Sequence, residues 1–145
     1  MARHMIVPKV PKVTLLSGLL LISLFAIGKS YAAAPAGLTR AHSGGGVTVT
    51  ATYLNPQGAD DARFQIALDT HSVNLDAYDL KALSLLRDET GKTYQPTEAQ
   101  NKGSGHHRQI IIVFPKVAPE TKELDLVLKD IAGVKERSFR WELSQ

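Results

Sequence analysis

The chain has 145 residues, 17 basic and 14 acidic, for a formal net charge of +3, with 43% hydrophobic residues and no cysteine. That length is at most one domain, and that apolar fraction is too high for a disordered protein. The missing thiols exclude disulfide scaffolds, thiolate zinc sites, thiol catalysis and a lipid-modified bacterial N-terminus.

Residues 1–32 read as a secretory signal. Arg3, Lys9 and Lys12 form a basic leader, the apolar run Val13–Gly28 follows, and Ser30 and Ala32 supply the small–x–small pattern of a signal-peptidase site. The run has 16 residues, fewer than the roughly 20 of a spanning helix. A retained N-terminal anchor is the alternative to cleavage, and either way the remainder is expected outside the cytoplasm, in the periplasm or secreted. No run of spanning length follows, which excludes a polytopic membrane protein. Arg3, Lys9, Lys12 and Lys29 all lie in the leader and no acidic residue precedes Asp60, so the remainder carries 13 basic against 14 acidic residues. A nearly neutral domain without a basic stripe lacks the footprint of a nucleic-acid binder. Membrane contact is expected only if the leader is retained.

After a lead-in over 33–45 that reads as flexible, residues 46–145 are patterned with period two. Val47, Val49, Ala51 and Tyr53 alternate with threonines, predicting a strand with one buried face. Asn55-Pro56-Gln57-Gly58 breaks it as a turn. Phe64, Ile66 and Leu68 predict a second strand, and a third covers about Lys81–Arg87. Asp88-Glu89-Thr90-Gly91 closes a hairpin into Lys92–Gln95, which Pro96 ends. Gln109–Phe114, apolar on both faces, suits a central strand. Leu124, Leu126 and Leu128 mark a sixth strand, and Phe139, Trp141 and Leu143 a seventh. The stretches 32–46 and 96–105 look loose in composition. The expected fold is all-β, a seven-stranded antiparallel immunoglobulin-like sandwich. Trp141 on the last strand and the absence of a cysteine pair separate it from antibody domains.

The strand order, the hairpin Leu85-Leu86-Arg87-Asp88-Glu89-Thr90-Gly91-Lys92-Thr93-Tyr94 and the closing Arg137-Ser138-Phe139-Arg140-Trp141-Glu142-Leu143 resemble small secreted bacterial immunoglobulin-like domains of the telokin-like group. The resemblance implies the sandwich fold over roughly the whole exported region and brings no catalytic residues with it.

If successive connections alternate between the two ends of the sandwich, His42, His71, His106 and His107 all fall at one pole. Neutral imidazole is a borderline-soft donor for zinc and copper. His71, His106 and His107, with Asp76 or Asp69 as a carboxylate, could supply the three or four donors such an ion takes. Adjacent residues of an extended chain point to opposite faces, so one of His106 and His107 is expected to join His71. Solvated loop histidines are the plainer alternative, since no HxH or HExxH motif fixes two ligands on one element. Asp69–Asp79 lacks the spacing of an EF-hand, and its Asp and Asn residues suit turn capping. No GxSxG elbow occurs, and Gly44-Gly45-Gly46 precedes a strand where a phosphate cradle needs a helix. The expected function is therefore a non-enzymatic binding module, holding copper or zinc or an extracytoplasmic protein at its loop pole. The alternative is a structural or adhesive interaction domain without metal.

Overall fold

The computed structural model describes residues 36–143 apart from 58 and 59. The expected leader, 1–32, lies outside them. Nine strands occur among the described residues: β1 (Thr39–Gly44), β2 (Val47–Tyr53), β3 (Asp61–Thr70), β4 (Ser84–Asp88), β5 (Thr93–Tyr94), β6 (Glu98–Asn101), β7 (His107–Pro115), β8 (Glu123–Ile131) and β9 (Val134–Glu142). They form two antiparallel sheets with the orders β1-β2-β3-β7-β6 and β5-β4-β8-β9, and the architecture is a β-sandwich.

The two strands beyond the expected seven lie in the segments whose composition looked loose. Residues 39–44, read as part of a flexible lead-in, pair with β2 from Thr39↔Thr52 to Gly44↔Val47. Their side chains are exposed or half-buried throughout, so no apolar alternation announces the strand. β6 is short and polar and pairs with β7 between Glu98↔Val113 and Asn101↔Ile110. The third strand starts later than expected, because the Asp79 carboxylate accepts the Lys81 amide at 3.0 Å and holds that segment as a turn.

The period-two pattern has the physical consequence it implies. Val47, Val49, Ala51, Phe64, Ile66, Leu68, Ile110, Ile112 and Phe114 from the first sheet are buried with Leu86, Leu124, Leu126, Leu128, Phe139 and Trp141 from the second. Each such large side chain, fully buried, contributes about 1.5–3 kcal/mol. An aromatic cluster joins the sheets: Phe64 stacks on Tyr53 at 4.6 Å between centroids and meets Trp141 at 5.1 Å. Trp141 Nε1 donates to the Leu38 carbonyl at 2.9 Å, which fastens the entry to β1.

Register sets the ends. Gly44↔Val47, Val47↔Thr70 and Asp69↔His107 place the β1–β2 turn, the end of β3 and the start of β7 together. Tyr78, in the connection from β3 to β4, accepts the Ala132 amide of the β8–β9 turn at 3.0 Å on its hydroxyl. Both sheets therefore contribute to this end, called here the histidine pole.

Candidate functional site

Two arginines hold the histidine pole from behind. Arg108 continues the inward phase of Ile110, Ile112 and Phe114, and Arg137 that of Phe139 and Trp141, so both enter the core side at the pole end of their strands; they are 8% and 1% exposed. A buried guanidinium must find acceptors. Arg108 donates to the carbonyls of Leu75 at 2.7 Å and Tyr78 at 2.6 Å, and to Asn101 Oδ1 at 3.1 Å. Arg137 donates to the carbonyls of Ile131 at 2.8 Å and Gly44 at 2.7 Å. Its Nε has no partner among the described residues, and burial lowers its pKa. Arg108 thus binds the connection from β3 to β4, and Arg137 ties the β1–β2 turn to the β8–β9 turn.

Local bonds fix the rest of the rim. The Thr70 hydroxyl donates to the Gly46 carbonyl at 2.8 Å and accepts the amides of Ser72 and Val73, each at 3.2 Å. Asn74 Oδ1 accepts the Asp76 amide at 3.1 Å, the turn capping expected from the sequence. The Asp76 carboxylate accepts the Gly105 amide at 3.2 and 3.3 Å, pinning the loop that carries His106 against the one that carries His71.

On this frame His71 and His106 line one open depression of about 400 Å³, together with Ser72, Val73, Asn74 and Gly105. The Thr70 amide donates to the His106 carbonyl at 3.1 Å, continuing the β3–β7 pairing one step past the strands. His107 turns elsewhere: it stands opposite Asp69 across β3 and β7, and its Nδ1 lies 2.6 Å from Asp69 Oδ1. Both partners are largely exposed, so this pair contributes no more than about 1 kcal/mol. His42 sits on β1 opposite Val49.

The expected donor set of His71, His106, His107 and Asp76 is therefore divided. Strand alternation separates His107 from His106, and the Gly105 amide engages Asp76. Among the described residues no group of three or more histidines and carboxylates is placed to hold a metal ion. What remains is a pair of histidines lining one open depression. Sequence reasoning missed Arg108 and Arg137, although both continue an inward alternation by one step.

A second recess, about 460 Å³, lies at the far end of the β5-β4-β8-β9 sheet and is lined by Arg87, Asp88, Glu89, Gly91, Glu123, Asp125 and Arg140. Three of its four carboxylates are taken up by the fold. Asp88 accepts the Thr90 hydroxyl at 2.6 Å, the Thr90 and Lys92 amides at 3.0 and 3.1 Å and the Tyr94 hydroxyl at 2.9 Å; these bonds, Thr90 first, hold its carboxyl below the usual range. Glu89 accepts the amides of Lys122 and Glu123 at 3.0 and 3.3 Å; backbone amides, its own foremost, lower its pKa. Asp125 is opposed by burial, yet Arg140, Ser138 and Arg87 keep it below its ordinary value. Glu123, the fourth carboxylate, lies 3.6 Å from the Arg140 guanidinium and its side chain stays 43% exposed.

No protein-family model and no curated protein matches the chain, so the telokin-like resemblance gains no support from either. Among solved structures, the chain is similar to a DUF4426 family protein from Pseudomonas aeruginosa PAO1, with 13% identity and a TM-score of 0.45 over 70% of this chain and 92% of that one.

Proposed function

We propose that the chain is an exported, non-enzymatic binding domain of immunoglobulin-like type, whose recognition surface is the histidine pole and whose ligand is zinc or copper held by His71 and His106. The strand order supports the fold assignment. With β2 to β9 taken as the successive strands A, B, C, C′, D, E, F and G, the sheets read A-B-E-D and C′-C-F-G, the arrangement of immunoglobulin sandwiches; β1 extends the first sheet beyond A. The basic leader and its apolar run support export.

One observation carries the ligand reading: His71 and His106, 35 positions apart in the chain, line the same depression on a rim fixed by buried arginines. A pair of imidazoles on a rigid frame binds a borderline ion without first ordering its loops. Calorimetric titration of the purified chain with zinc and copper tests it. Saturable binding lost in His71→Ala and in His106→Ala, and kept in His107→Ala, is expected; equal affinity in all three, or no binding by the unaltered chain, contradicts it.

Adhesion through a sheet edge or apolar patch has less to stand on. The edge strands β5 and β6 have two and four residues, β1 carries Arg40, and the nine-residue edge β9 carries Lys135, Glu136, Arg140 and Glu142, features that blunt edge pairing. Leu54, at 40%, is the only large apolar side chain exposed among the described residues, too little for a hydrophobic docking patch.

A further inference from the structure

We propose that one zinc or copper ion bridges two copies of this chain, with His71 and His106 of each copy supplying two of its four donors. The inference rests on the metal-binding reading of the pole and adds the partner. A closed zinc site takes four ligands, and copper(II) accepts four nitrogens in a tetragonal plane. The depression offers two imidazoles. Asp76 accepts the Gly105 amide and Asp69 faces His107, and among the described residues no group of three or more histidines and carboxylates is placed to hold an ion.

A two-fold axis through the ion doubles two donors to four, and such an interface closes on itself. The rim permits the approach. Residues 101–107 are all exposed, as are His71, Ser72 and Asn74, and the other residues lining the depression, Ser72, Val73, Asn74 and Gly105, are small. With little exposed apolar surface among the described residues to drive association, the ion is what holds the copies together.

Sedimentation velocity on the purified chain, with zinc or copper added stepwise, decides the matter. Dimer is expected to peak at one ion per two chains and to decline in excess metal, as each chain loads its own ion; chelator restores monomer. His71→Ala and His106→Ala are each expected to stay monomeric, whereas His107→Ala still pairs. Saturable one-to-one binding by a chain that stays monomeric overturns the bridge and leaves the metal reading standing. Absence of binding by the unaltered chain overturns both. Dimer that persists in chelator, or in the His71 and His106 variants, overturns the bridge by placing the contact on another surface.

Discussion

The two ends of the sandwich are stabilised by opposite chemistry. At the far end, carboxylates close the turns: Asp88 gathers Thr90, Lys92 and Tyr94, Glu89 clamps the start of β8, and Asp61 is gripped by Arg63 at 2.7 Å and by Asn55 at 2.9 Å. At the histidine pole, buried guanidiniums bind backbone carbonyls from inside. Asp61, Asp88 and Glu89 are occupied by the turns they close, whereas arginines anchored behind the loops leave the His71 and His106 side chains at an open surface. An end can be rigid and still chemically available when its supports come from beneath.

Glycines give the largest expected effect. Gly45 and Gly91, one at each end, have φ of +61° and +86°, where a side chain costs roughly 1–2 kcal/mol. A Cβ on Gly91 meets nothing, but one on Gly45 would lie 1.9 Å from the Ala132 carbonyl oxygen, a backbone atom that cannot step aside. Gly91→Ala should therefore cost about 1–2 kcal/mol and Gly45→Ala about 3–5 kcal/mol, read from urea denaturation midpoints. Equal costs would break the picture of interlocked turns at the histidine pole.

Arg137→Ala comes next, at about 3 kcal/mol, because it orphans the Gly44 and Ile131 carbonyls and opens a cavity. Asp88→Ala follows at about 2 kcal/mol, since the Tyr94 hydroxyl and two backbone amides lose their acceptor. The two substitutions should differ in their pH signature. Asp61, Asp88 and Glu89 are depressed in the folded chain, Asp61 chiefly by Arg63. Their contribution is complete above the unfolded carboxylate range near about 4 and is lost as pH falls through the lower folded values. Denaturation midpoints should thus drop on acidification, less steeply in Asp88→Ala, with the slope of Arg137→Ala unchanged in that range. The smallest effect belongs to His71→Ala and His106→Ala, expected within about 0.5 kcal/mol as exposed substitutions. A larger loss in thermal or urea unfolding would make these histidines part of the scaffold.

Legibility from sequence followed burial. β2 was read to the residue because Val47–Tyr53 alternates against a buried face. β1 has no such face, and its one local signal is the Gly45-Gly46 pair before a β-branched run, both glycines at positive φ as a two-residue hairpin turn requires. β6 lies in a polar stretch, and only its partner β7 makes it a strand. At the pole, alternation predicts that His106 and His107 part; His106 lines the depression and His107 pairs with Asp69. What alternation does not supply is the long-range contacts, since Asp69–His107 and Asp76–Gly105 join residues 38 and 29 positions apart. The arginines were legible in principle: Arg108 and Arg137 keep the inward phase of their strands, and a charge in that phase at a strand end marks a support for loops.

The most direct test of the account is the imidazole ring spectrum of the ¹⁵N-labelled chain during zinc addition. The account predicts that the His71 and His106 ring nitrogens shift together and saturate at the same added zinc, while the His107 ring, turned to Asp69, stays in place. Rings that move independently, or a His107 response leading the other two, would contradict it.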